Sequence, residues 1–302
     1  MTEYEINAIR YKALRPVFED MQDMEYVVVK GEALSLAAYG ELGKRTSNDV
    51  DILADKEDVY NIEKILVAHG FSPEEEDQKK SRHMRIFLMA NSHQTIPYVK
   101  KFQEMDVKVD VNFGILWGEY EGQRIDIREF LKGSTERVIH GIRTKVLSKE
   151  KTLLHLILHN YKDVNSTYLL LRRKRPIYER VYKDIFLIMD SMTDLELGTL
   201  IELSKCLMVD TYVFYMAYYT NQVFPNEKLV FVMEQLKSDE GMALLDTYGL
   251  NTLERHQWKC SFEERYNHVE MKDYILDQLG SEEIQKLKAN GIYYKEVEAF
   301  RE

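Results

Sequence analysis

Val27-Val28-Val29-Lys30-Gly31 runs into Glu32-Ala33-Leu34-Ser35-Leu36-Ala37-Ala38-Tyr39, and one loop later comes Arg45-Thr46-Ser47-Asn48-Asp49-Val50-Asp51-Ile52-Leu53. The valine run reads as a strand that stops at Gly31, and the next eight residues read as a short helix, so the glycine falls on a strand-to-helix turn. A helix that starts there offers oriented N–H groups and a partial positive charge to a phosphate. Asp49 and Asp51 belong to a second strand-like run, Asp49 to Ala54, in which they alternate with Val50 and Ile52. Side chains two apart on a strand share a face, roughly 6.5 to 7 Å apart by strand rise, so both carboxylates converge on one point. Two such acids repel unless a cation joins them, and Mg²⁺ takes one or two carboxylates together with phosphate oxygens and water.

A third strand supplies another acid. In Val107-Lys108-Val109-Asp110-Val111-Asn112-Phe113 the apolar residues share one face and Lys108, Asp110 and Asn112 the other. If this strand lies beside the first acidic one, Asp110 joins Asp49 and Asp51 in the three-carboxylate cluster that two-metal phosphoryl transfer requires. Lys30-Gly31 before a short helix, Arg45 ahead of Asp49-Val50-Asp51-Ile52-Leu53, and Asp110 on a later strand together resemble the nucleotidyltransferase superfamily with the polymerase-β-like fold. The resemblance is greatest to its bacterial branch of uncharacterised nucleotidyltransferases, and more distant to abortive-infection toxin-type enzymes. It covers the first half of the chain closely and the helical remainder loosely. Where many members carry Gly-Ser at the turn, this chain has Lys30-Gly31-Glu32. The resemblance implies a nucleoside triphosphate as one substrate, Mg²⁺ or Mn²⁺ as cofactor, and Asp49, Asp51 and Asp110 as metal-holding and catalytic residues. Lys30, Gly31, Arg45 and Ser47 are the candidate nucleotide-binding residues. Lys30 could equally end a strand at the surface, Lys44 and Arg45 could be a solvated pair, and Ser47 could simply make the turn.

Length and composition bound the rest. With 302 residues, 45% of them hydrophobic and 30% charged, the chain has room for two domains and a substantial core. Its net charge of −10 argues against an extended nucleic-acid partner, because duplex binding rests on many Lys and Arg contacts to phosphate. No apolar run approaches the ~20 residues of a membrane helix, and the start of the chain lacks a signal-peptide pattern, so a cytoplasmic protein is expected. Cys206 and Cys260 stand far apart inside helical patterns, which speaks against a disulfide framework or zinc site.

Taken in order, residues 1–24 read as a helix despite Pro16, and Lys56 to His69 as another that Gly70 ends. Glu74 to Lys80 reads as a solvated loop, Met84 to Met89 and Thr95 to Phe102 as strands, and Arg137 to His140 and Arg143 to Leu147 as short elements. Glycine thins after Gly141, and helical periodicity dominates from Ser148, which with Lys149-Glu150-Lys151 suits a helix cap. The expected architecture is therefore α+β: a mixed-sheet nucleotidyltransferase domain over 1–147, an all-helical domain over 148–302 and the active site in the cleft between them. Helices are expected near Ile177 to Met192, Asp194 to Met208, Thr211 to Val223 and Glu227 to Leu236.

His155 and His159 have the i,i+4 spacing of metal ligands, yet His-Leu-Ile-Leu-His lacks the glutamate of the zinc-protease motif, and helix packing accounts for them better. His159 and Lys162 are candidates to line a nucleotide cleft, as are Arg82 and His83 for the acceptor. Arg172-Arg173-Lys174-Arg175 reads as an exposed loop, and the aromatic stripe Tyr212, Phe214, Tyr215, Tyr218 and Tyr219 as helix packing. The leading function is transfer of a nucleoside monophosphate to an unidentified hydroxyl or phosphate acceptor, with release of pyrophosphate. Its rivals are a catalytically silent nucleotide- or partner-binding module and an Asp-x-Asp glycosyltransferase. Oligomeric state, acceptor and choice of triphosphate leave no trace in the sequence.

Overall fold

The computed structural model of the chain describes residues 1–74, 92–116, 125–174, 176–177, 179–252, 255–285 and 287. The chain divides into two compact units, one built from residues 1–118, 122–156 and 187–200, the other from 119–121, 157–186 and 201–302. As the sequence indicates, the architecture is α+β, with a mixed sheet in the N-terminal part and helices dominating the C-terminal part.

Helix α1 (Glu3–Asp20) opens the first unit behind a capping box. Thr2 Oγ1 accepts the Glu5 N–H at 3.3 Å, and the Glu5 carboxylate accepts the Thr2 N–H at 2.8 Å. Pro16 sits inside this helix without ending it. Tyr11, Leu14, Val17 and Phe18 bury against the sheet, and that packing offsets the missing N–H. Strand β1 (Tyr26–Val29) leads into α2 (Gly31–Tyr39), β2 (Val50–Ala54), α3 (Val59–Ala68) and β3 (Ser72–Pro73). Then come β4 (Tyr98–Phe102), β5 (Met105–Asn112), the short helix α4 (Ile127–Leu131), and β6 (Thr135–Ile139) with β7 (Ile142–Val146). Among the described residues the seven strands of this sheet lie in the order β3-β4-β5-β2-β1-β7-β6.

Two pairings place the site. β1 and β2 run antiparallel with Val29 opposite Asp51, while β2 and β5 run parallel with Asp51 opposite Asp110. Val28, Val50, Ile52, Val107, Val109 and Val111 fill one face of the sheet, under α1 and α3. Their neighbours one residue along point to the other face, and α4 contacts β2. The strand expected from Thr95 starts only at Tyr98, because Pro97 lacks the N–H that a ladder needs; Thr95 N–H still reaches Val111 O at 2.8 Å. Ile139 faces Ile142 across a two-residue turn, His140-Gly141, with φ of 49° and 76°. That is the positive-φ pair which a tight hairpin of this twist demands.

Helix α5 (Lys149–Asn165) follows Ser148, but not through a side-chain cap: the Ser148 hydroxyl is buried without a hydrogen-bond partner, and the backbone Ser148 O accepts from Thr152 N–H. After α6 (Thr167–Arg172) come α7 (Arg180–Asp190), α8 (Asp194–Cys206), α9 (Asp210–Val223), α10 (Glu227–Leu236) and α11 (Asp239–Leu245). The aromatic stripe of α9 packs as expected, with Tyr212, Phe214, Tyr215 and Tyr219 buried and the Tyr215 and Tyr219 rings 4.8 Å apart. A small hairpin, β8 (Thr247–Tyr248) with β9 (His256–Gln257), and the short helices α12 (Phe262–Asn267) and α13 (Lys272–Ile275) close the second unit. Its core joins Tyr168, Leu170, Leu171, Tyr248, Met271 and Ile275.

Candidate active site

The turn between β1 and α2 is bent hard. Lys30 takes φ 57° and ψ −154°, a region that costs a non-glycine residue about 1 to 3 kcal/mol, and Gly31 follows at φ 37°. A Cβ on Gly31 would stand 3.4 Å from Ser47 Oγ, so the loop that carries Ser47 lies against the turn. Lys30 O accepts the Leu34 N–H, which leaves the N–H groups of the first turn of α2 without partners within the helix.

Beside this turn stand the acids. Val29, Asp51 and Asp110 occupy one row across β1, β2 and β5. Asp51 is buried, and its Oδ1 accepts from Lys30 Nζ at 2.7 Å and from Asn112 Nδ2 at 3.2 Å. Asp49 lies two residues before Asp51, and the Ser47 hydroxyl stands 2.8 Å from its backbone oxygen and 3.1 Å from its Oδ1.

The charges are not balanced. Burial, then Asp51 and Asp49, push the Asp110 carboxyl up to about 7 against the pull of Lys30 and Lys108. Burial and Asp51 also raise Asp49, opposed by Lys30, Ser47 and Arg10. For Lys30 burial works against the charge, yet Asp51, Asp49 and Asp110 outweigh it and the ammonium is held above its ordinary value. Three carboxylates thus crowd around Lys30, with Lys108 acting on Asp110 and Arg10 on Asp49 from farther off. In kind, that donor set suits a hard divalent cation. In the arrangement seen, Lys30 and Asn112 claim Asp51 Oδ1, and among the described residues no group of three or more His, Cys, Asp or Glu side chains is arranged to hold a metal ion.

Arg45 is half-buried in the loop before Asp49, while neighbouring Lys44 is exposed and pairs with Glu41 at 3.1 Å. His159 stands 3.4 Å and Lys162 3.6 Å from the Asp163 carboxylate on their own helix. Arg82 and His83, with the strand expected at 84–89, the loop after Glu74 and Arg175, lie outside the described residues. Asp55, a nearby acid, is turned toward Arg128 at 3.6 Å and accepts the Glu57 N–H.

Four polar residues escaped the sequence reading: Arg10, which donates to Ser47 O at 2.6 Å, Asn7 and Glu32, which extend that contact, and His140, 3.0 Å from Glu32. Arg10 and Asn7 sit in an ordinary amphipathic helix, Glu32 follows the glycine like any first-turn acid, and His140 looks like a hairpin residue, so nothing local marks them. Asn112 did carry a signal, since it shares a strand face with Asp110 two residues earlier.

The model of the uncharacterised nucleotidyltransferase family matches residues 9–225. Among solved structures the chain is similar to an antigenic nucleotidyltransferase-like protein from Paracoccidioides brasiliensis. That match has 15% identity and a TM-score of 0.35, and covers 67% of this chain and 91% of that one. No curated protein matches the sequence. The family match runs from α1 through α9 and takes in the strained turn and the whole acidic row, and on that match the chain belongs to the uncharacterised nucleotidyltransferase family.

Proposed function

We propose that the chain moves a nucleoside monophosphate from a nucleoside triphosphate to a hydroxyl or phosphate oxygen of an acceptor, releasing pyrophosphate. The observation that carries this reading is the alignment of Asp51 with Asp110 on parallel strands, directly beside the Lys30-Gly31 turn that opens α2. Asp49 and Asp51 would hold Mg²⁺ or Mn²⁺, with Asp110 completing the set. When bound, the cation supplies charge neutralisation of the triphosphate and relief of carboxylate repulsion. The N–H groups at the start of α2 and the Lys30 ammonium would draw in the phosphates, with Arg45 and Ser47 in the adjoining loop. An acceptor oxygen attacks the α-phosphorus, the bond from that phosphorus to the β-bridging oxygen breaks, and pyrophosphate leaves. The acceptor proton would pass to Asp110, whose carboxylate stands beside Asp51 in the row.

The test is incubation with each α-labelled triphosphate and Mg²⁺ or Mn²⁺ in an extract of the native cell. Label appearing on an acceptor, and lost on Asp49→Asn, supports the reading. Transfer from sugar nucleotides alone would instead make the chain a glycosyltransferase. One observation favours a second reading, a module that binds nucleotide without turnover: Lys30 already neutralises Asp51. Triphosphate binding with no labelled product from any acceptor pool would select it.

A further inference from the structure

Behind the acidic row runs a chain of buried polar side chains that the chemistry above does not use. Glu32, Asn7 and Arg10 are all buried. Glu32 Oε1 accepts from Asn7 Nδ2 at 2.7 Å and lies 3.0 Å from His140 Nε2 in the β6–β7 turn, while its Oε2 accepts the Gly43 N–H at 2.9 Å. Asn7 Oδ1 in turn accepts from Arg10 Nη1 at 2.8 Å, and the same Nη1 donates to Ser47 O at 2.6 Å. Ser47 then meets Asp49. The polarity of this chain is fixed at both ends. Arginine has only donors, so it demands Asn7 Oδ1, and an ionised Glu32 has only acceptors, so it demands Asn7 Nδ2. The chain touches α1, α2 and the hairpin turn, and ends on the loop that delivers Asp49.

We infer that Glu32 anchors a hydrogen-bonded strut, Glu32–Asn7–Arg10–Ser47, that holds Asp49 in the acidic row, so that Glu32 and Arg10 are positioning residues for the nucleotide chemistry proposed above. The inference rests on that reading for its consequence, but not for its geometry. Burial makes each link of the strut costly to break, because the partner left behind goes unsatisfied, as Arg10 Nε and His140 Nδ1 already are.

Glu32→Gln tests it in the full chain. The new amide can keep the Gly43 N–H on its oxygen, but it then sets an NH₂ against Asn7 Nδ2, and turning Asn7 over moves the same conflict to Arg10. Hydrogen–deuterium exchange over 41–49 is expected to quicken at least tenfold while β2 and β5 stay protected. Calorimetric affinity for ATP, GTP, CTP and UTP with Mg²⁺ is expected to weaken at least tenfold for whichever binds. Adding Asn7→Asp restores the polarity, since the introduced carboxylate accepts both from the new amide and from Arg10, and it should return both readouts to within threefold of the wild type. A loop that stays protected in Glu32→Gln, or a double variant that restores nothing, overturns the inference. A looser loop with unchanged triphosphate affinity overturns it too, and leaves the proposed function standing. If the wild-type chain binds none of the four, the proposed function fails, and exchange over 41–49 with its rescue decides the strut alone. Should Glu32→Gln not fold, Arg10→Met takes its place under the same exchange and affinity criteria: it keeps an unbranched stem and removes the single nitrogen, Nη1, that donates to both Asn7 and Ser47.

Discussion

Asp110→Asn should make the cation-free protein more stable, not less, by an amount that grows as pH rises from about 4 to about 7 and is full above that. Burial beside Asp51 and Asp49 raises the Asp110 carboxyl from 3.8 to about 7, which at 1.36 kcal/mol per unit sets an upper bound of about 4 kcal/mol. The sign follows from proton binding. Between 3.8 and about 7 the folded chain holds a proton on Asp110 that the unfolded chain has released, so this group's contribution to stability falls as pH rises through that window. Below it both states are protonated and nothing is lost; above it the whole cost is present. The value near 7 already includes the attraction of Lys30 and Lys108, so losing those contacts in the variant has been counted. Urea denaturation of both proteins in EDTA from pH 4.5 to 8.5 measures the effect. The variant should be more stable by about 2 to 4 kcal/mol at pH 8, with the difference shrinking toward zero near pH 4. On the proposed function, saturating Mg²⁺ should then raise the wild-type midpoint and leave the variant's unmoved. A variant less stable at pH 8, or a difference that does not vary with pH, would refute the claim that the row carries excess negative charge.

Lys30→Met should destabilise the cation-free chain by about 3 kcal/mol, because it leaves the buried Asp51 carboxylate beside two others without its 2.7 Å ammonium. Adding Asp51→Asn should recover more than half of that loss in the same denaturation assay, and no recovery would mean that Lys30 contributes through packing alone. Gly43→Ala should cost about 2 kcal/mol or more, since φ is 73° and the new Cβ would lie 2.7 Å from Tyr4 Cβ and 2.8 Å from Tyr4 Cα. Gly40→Ala, at φ 68° with nothing within 4 Å, should cost only about 1 kcal/mol of backbone strain; equal losses in thermal melts would show that the approach of Tyr4 does not matter.

What the sequence made legible was local. Val107, Val109 and Val111 alternate with Lys108, Asp110 and Asn112, so period two marks both the strand and the face on which the acid stands. Gly31 between a valine run and a short helix marks the turn by itself. Pairing was less legible: that β5 lies beside β2 rather than at a sheet edge depends on connections through residues whose pattern carries no register. The strut was not legible at all, because Asn7, Arg10, Glu32 and His140 come from separate elements whose approach only folding creates. β3 was likewise invisible, a two-residue edge strand that ends on Pro73.

Why the acids meet a positive pole at all follows from the two central pairings. Because β1 and β2 are antiparallel, the end of β1, where α2 begins, lies at the same edge of the sheet as the start of β2, where Asp51 sits just after Asp49 of the preceding loop. The register of the parallel β2–β5 pair, with the start of β2 beside the last residues of β5, sets the third acid in the same row. A helix N-terminus attracts anions and a carboxylate row attracts cations, and one edge of the sheet carries both. A ligand that satisfies the two together must bring phosphate and cation at once, as a metal-bound triphosphate does. Either component alone meets half of the edge with the wrong sign. The proposed reading therefore requires Mg²⁺ and triphosphate to strengthen each other's binding, and two strictly independent affinities in a calorimetric cycle would count against it.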